Sequence, residues 1–112
     1  MPVQEFAFIF RPTRAVAPAD LPKRSTAARD WALARRRDGV LRSASPLEDG
    51  GVTVGAQGVG PVAPEHAVGA VLVVAAKDID AAVALAKTHP GLAYGAEVDV
   101  RPVKAVTLPP AP

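Results

Sequence analysis

Hydrophobic and polar positions change period several times along the chain, and each change marks an element. Residues 5–11 read Glu-Phe-Ala-Phe-Ile-Phe-Arg, an aromatic and β-branched run that predicts a strand. Phe6, Phe8 and Phe10 fall on one face; Ala7, Ile9 and Arg11 fall on the other. Both faces are largely apolar, which places this strand at the centre of a sheet covered on both sides. Residues 12–18 read as a loop. Asp20 stands where an N-cap belongs, Pro22 is tolerated in a first turn, and a helix is predicted from there to about Asp38. Its buried stripe is Ala27, Trp31 and Ala34, with Ala28 and Leu33 beside it; Arg24, Arg35 and Arg36 lie mostly outside. Gly39 ends the helix.

Residues 40–45 and 52–56 predict two more strands, joined by a glycine-containing turn over 46–51 and therefore expected to pair as a hairpin. A Gly/Pro loop is expected over 57–68. The run Gly69-Ala-Val-Leu-Val-Val-Ala-Ala76 is nearly unbroken in its apolarity and predicts a buried strand. Asp78 opens an Ala-rich helix that reaches Lys87, and His89-Pro90-Gly91 stops it. Residues 96–102 alternate again and close the pattern as a strand, with Glu97, Asp99 and Arg101 facing one way and Val98 and Val100 the other.

The order is β-α-β-β-β-α-β. This is an α+β domain of the ferredoxin-like βαββαβ type, with one extra hairpin strand, an antiparallel sheet, and two helices on one sheet face. The domain is expected over residues 1–104, followed by a Pro-rich tail over 105–112 with little order. The strands are apolar on both sides, so the face without helices needs a cover. A second copy packed sheet to sheet supplies one, and a symmetric homodimer is expected.

Composition sharpens this picture. Only five of 112 residues are aromatic, and Ala and Val fill most of the interior. Small side chains bury little area each, at about 25 cal/mol per Å², so a lone copy is expected to be marginal. Net charge is +2, with a pI near 9.4. The only dense basic run, Arg35-Arg36-Arg37, suits the C-terminal turn of a helix; no aromatic interleaving accompanies it, and nucleic acid is not an expected partner. There is no cysteine, which removes disulfide and thiolate chemistry. No apolar run reaches the roughly 18 residues a membrane span requires, and the start lacks the basic and apolar regions of a leader. A cytoplasmic location without membrane association is the expectation.

The second half carries a resemblance. Gly69-Ala-Val-Leu-Val-Val, then Asp78-Ile-Asp-Ala-Ala-Val-Ala-Leu-Ala, His89-Pro90 and Glu97-Val-Asp-Val-Arg-Pro-Val103 form its most specific part. In the first half, Trp31, Asp38-Gly-Val-Leu41 and Ser45-Pro-Leu47 agree more loosely. Over roughly residues 5–103 the chain resembles the YCII-related proteins, in the branch that carries a DGPF signature. The resemblance implies a dimeric α/β barrel. Family members are proposed to use a His–Asp pair, one branch resembles dehydrochlorinases of chlorinated aromatic compounds, and others accompany extracytoplasmic-function sigma factors. The signature tetrad falls on Val59-Gly-Pro-Val62, where valines replace its acid and its aromatic; the first-helix His of one branch falls near Ala28.

Candidate chemistry is sparse. Of two histidines, His89 follows the second helix and has the ordinary explanation of a helix-end cation; its functional reading is a general base at a pocket rim. His66, beside Glu65 in the Gly/Pro loop, is either an exposed loop residue or part of a lid. Asp30 and Asp99 are the acids that would orient such a base; Asp30 has the simpler reading of a surface acid near an arginine. Trp31 is expected as a core anchor whose N–H reaches a carbonyl. Arg11 is the cation best placed for an anionic ligand, and Arg101 shares its strand with Asp99 and Glu97, either lining a cavity or guarding an edge. Arg11, Trp31 and Arg101 are thus the expected ligand-binding residues, and His66, His89, Asp30 and Asp99 the catalytic candidates. Neither a metal nor a cofactor is expected: the scattered acids and two histidines lack ligand spacing, and Gly55-Ala-Gln-Gly-Val-Gly60 does not open a helix.

Two functions compete. The first is a small dimeric binding or accessory protein that holds a small anionic or apolar molecule and lacks the family's acid–base residues. The second is a lyase- or isomerase-like enzyme acting on a small cyclic organic compound through a His–Asp pair. Val59, Val62 and Ala28 favour the first.

Overall fold

The computed structural model describes residues 3–105 and 109–111. The chain runs β1 (Gln4–Pro12), α1 (Leu21–Arg37), β2 (Leu41–Pro46), β3 (Val52–Gly55), β4 (Gly58–Pro61), β5 (Ala70–Ala76), α2 (Ile79–Ala86) and β6 (Ala96–Pro102), with 3₁₀ turns at Pro18–Asp20, Pro64–His66 and Pro90–Tyr94. The fold class is α+β and ferredoxin-like. The main sheet has the order β2-β5-β1-β6, antiparallel throughout. β1 lies at its centre because both of its faces are apolar enough to be shared.

Register puts the bulky residues in rows. Phe8 pairs with Leu72 on one side and Val100 on the other; Phe6 pairs with Val74. This face carries both helices. Phe6, Phe8 and Val74 are essentially inaccessible, and Trp31, Ala82 and Ala86 close over them. The opposite face carries Ala7, Ile9, Val71, Val73 and Ala75, all half-buried. No helix among the described residues is long and apolar enough to cross a membrane.

Local expectations meet the structure with four corrections. The hairpin partner of Val52–Gly55 is Gly58–Pro61, from the stretch expected to be loop, while β2 pairs with β5 instead. The reason is the two-residue Ala56-Gln57 connection, flanked by Gly55 and Gly58, with Gly58 at φ +132°, a backbone that L side chains rarely adopt. Asp20 does not cap α1 with its side chain; its carboxylate lies 3.9 Å from Lys23 Nζ, because a 3₁₀ turn already leads into the helix. Leu33 faces water rather than the stripe. The Trp31 indole N–H donates to Thr88 Oγ1 at 2.9 Å, not to a carbonyl, and Thr88 Oγ1 donates in turn to the Leu85 carbonyl. By contrast, Asp78 caps α2 as its position predicts, accepting from Ala81 N at 2.8 Å. Of the tail expected over 105–112, residues 106–108 and 112 lie outside the described residues.

Candidate functional site

A cavity of about 560 Å³ lies between α1 and one end of the sheet. It exists because the residues facing each other there are small. Ser25, Ala28, Arg29 and Ala32 recur at helical spacing and present one face of α1. Ala44, Gly69 and Ala70 oppose them from the sheet, over a floor that includes Phe10 and Leu72. Larger side chains at these positions would close the gap, since interiors otherwise pack without voids. The size is ordinary for a small-molecule site.

The charged lining is one-sided. Arg14, Arg24 and Arg29 line the cavity, with Arg11 at its margin, against the single acid Asp49. Arg14 is held by the loop it sits in. Its Nη2 donates to the Ala93 carbonyl at 3.1 Å, and the neighbouring Thr13 donates through both N and Oγ1 to the Gly95 carbonyl. Gly95 has φ +93°, and an added Cβ would sit 2.6 Å from Arg14 Cγ. This glycine therefore lets the turn before β6 close against the loop after β1 and place Arg14.

His89 forms another part of the lining. It caps the 3₁₀ turn Pro90–Tyr94: its Nδ1 accepts from Gly91 N at 2.9 Å. Its ring lies against Phe10, with centroids 4.5 Å apart, and edge-on to Trp31 at 4.7 Å. Burial among these rings pushes the imidazole down to about 4, from its ordinary 6.5. The ring is thus neutral at neutral pH. Because Nδ1 accepts, the proton sits on Nε2, and Nε2–H has no protein partner among the described residues. His89 is therefore no helix-end cation: desolvation removes its charge and the following turn claims one nitrogen.

The charges of the last strand act elsewhere. Arg11 grips Asp99 with two hydrogen bonds, Nε to Oδ2 and Nη2 to Oδ1, each 3.0 Å, and reaches Glu97 at 3.3 Å. Pairing of Ile9 with Asp99 and Arg11 with Glu97 sets this cross-strand diagonal. The hydrogen bonds from Arg11 hold the Asp99 carboxyl below its usual range, and the same bonds raise Arg11 further. The network sits on the sheet face without helices.

The structure therefore divides the expected site residues. His89 lines the cavity; Arg11 touches its margin, but its guanidinium is engaged by carboxylates on the opposite sheet face. Trp31 lies buried behind His89 and does not line it. Asp30 and Arg101 are exposed, and His66 is exposed in its 3₁₀ turn. Among the described residues, neither histidine is hydrogen-bonded or ion-paired to a carboxylate, and no three His, Asp or Glu side chains gather as a metal set. Arg14, Arg24, Arg29 and Tyr94 are lining residues that sequence reasoning passed over. The spacing of Ser25, Ala28, Arg29 and Ala32 carried the signal, a helix face of small residues edged by cations; its meaning depends on the equally small residues opposite. No family model matches the chain, and no curated protein is significantly similar to it.

Proposed function

We propose that this is a small dimeric binding or accessory protein of the YCII-related type, which holds a small anionic molecule in the cavity under α1 and performs no acid–base catalysis there. The observation that carries this reading is the lining itself. Outside the Arg11 network three arginines, Arg14, Arg24 and Arg29, line the cavity against one aspartate, and the histidine among them is neutral, offers a hydrogen-bond donor and has no carboxylate to orient it as a base. Ala28, where the resemblance would put a histidine, is part of the cavity wall and contributes only a methyl group.

Isothermal titration of the protein with a panel of small carboxylic acids, matched amines and neutral analogues tests the binding reading. Saturable binding of acids alone is expected. Binding of amines as tightly as acids, or turnover of any acid that His89→Asn abolishes, overturns it.

The dimer rests on the second sheet face. Ala7, Ile9, Val71, Val73 and Ala75 form a continuous apolar band there, bordered by the Arg11–Asp99 pair on one side and by Ser43 and Ser45 on the other. An apolar centre with a polar rim is the anatomy of a protein interface. Sedimentation equilibrium is expected to give twice the chain mass, and Ile9→Lys to give single copies that remain folded. A wild-type protein that stays monomeric at high micromolar concentration contradicts the dimer.

A further inference from the structure

From the shape and donors of the cavity we infer that its ligand is a flat aromatic carboxylic acid, whose carboxylate is held by His89 Nε2–H together with an arginine and whose ring lies between α1 and the sheet. The inference rests on the anion-binding reading above and narrows it to one chemical class.

Three observations carry it. The first is shape. The walls are the Ala28 and Ala32 methyls on one side and the sheet, with Phe10 and Leu72, on the other. A helix face and a sheet face separated by missing side-chain volume enclose a slab, and a planar ring fills a slab with contact on both sides.

The second is the donor set. A fixed neutral N–H and a guanidinium fork match the two oxygens of a carboxylate. A phosphate is ordinarily cradled by successive backbone N–H groups of a glycine-rich turn that opens a helix. Here the glycine-rich stretch, Gly55–Gly60, forms the remote β3–β4 hairpin, and Gly91 N is already given to His89.

The third is charge. Arg11 is paired with Asp99 and Glu97, whereas Arg24 and Arg29 have no ion-pair partner among the described residues. They line the cavity with Arg14, so three guanidinium groups outside the Arg11 network face one carboxylate, Asp49. The surplus is positive, and the neutral imidazole adds a donor without adding to it. Depressed titration of His89 extends this donor state across the range from weakly acidic to neutral solution.

The molecule supplies its own reporter. Trp31 is the only tryptophan, and its ring meets the His89 ring edge-on at 4.7 Å. A ligand docked on His89 therefore changes Trp31 emission. The test titrates the full chain with 2-naphthoate, 2-naphthol, acetate and inorganic phosphate, followed by Trp31 fluorescence and calorimetry.

Expected is saturable binding of 2-naphthoate, at least about tenfold tighter than the other three, the size of one charge-assisted contact. Its affinity is expected to be flat between pH 5.5 and 8. Arg24→Gln and Ala28→Leu are each expected to weaken it about tenfold, the first by removing charge and the second by filling the slab. Circular dichroism confirms that both variants fold, and either variant that folds reads the outcome. If acetate or phosphate binds as tightly as 2-naphthoate, the anion site stands and the aromatic class falls. If 2-naphthol binds as tightly, or nothing binds, both the class and the anion-binding reading fall.

Discussion

Replacing His89 with Asn separates the ring from the cap it makes. Asn Oδ1 can accept from Gly91 N as Nδ1 does, so the 3₁₀ turn Pro90–Tyr94 keeps its start. What disappears is the contact with Phe10 and Trp31, and the titration. Two aromatic contacts at about 0.5–1.5 kcal/mol each predict that His89→Asn costs about 2 kcal/mol at pH 7. The pH dependence has a definite sign. The native ring titrates at about 4 and an unfolded one near 6.5, so between these values the unfolded chain binds more protons. The wild-type protein therefore loses stability as pH falls from 6.5 to 4, and keeps the full contribution above 6.5. The shift corresponds to at most about 3.4 kcal/mol; partial access of water to the ring reduces that to about 1–2 kcal/mol. The Arg11–Asp99 pair is unchanged by the substitution and cancels in the difference. Urea denaturation of wild type and His89→Asn at pH 7, 6, 5 and 4 is the assay. The stability gap is expected to shrink from about 2 kcal/mol toward zero. Parallel curves refute the argument, as does a nitrogen-15 titration in which the His89 ring protonates near 6.5.

Three further substitutions probe the frame around the cavity. Phe8→Ala empties a fully enclosed position of the sheet and is expected to cost about 3–5 kcal/mol in urea denaturation, while Phe8→Leu retains a folded chain. Gly91→Ala places a Cβ 3.0 Å from His89 Nδ1, so the ring must shift; a changed Trp31 emission and a loss of about 1 kcal/mol are expected. Gly95→Ala forces a left-handed backbone on a side-chain residue and pushes Arg14 aside, which predicts a loss of about 1–2 kcal/mol, or roughly 5–10 °C in melting temperature.

Much of this protein is written in short-range pattern. Phe6, Phe8 and Phe10 declare the buried face of a central strand by alternation alone, Asp78 caps α2 through a bond three residues long, and Gly39 sits at φ +75° where the first helix must end. Each depends only on neighbours in the chain, so the fold class and every element except β4 follow from the residues themselves. The choice of partners does not. Val52–Gly55 was equally able to pair backward with β2 or forward with Gly58–Pro61, and the nearer pairing prevails because closing a two-residue turn costs less chain entropy. Trp31 found a hydroxyl 57 residues away, and His89 lost its charge to rings that only folding assembles around it. The cavity is the clearest case. Ala28 and Ala32 look like ordinary helix formers, and Ala44, Gly69 and Ala70 like ordinary sheet residues. An empty space lined with arginines arises only when α1 is laid across the sheet, because a void is a property of two surfaces meeting and no single segment carries it.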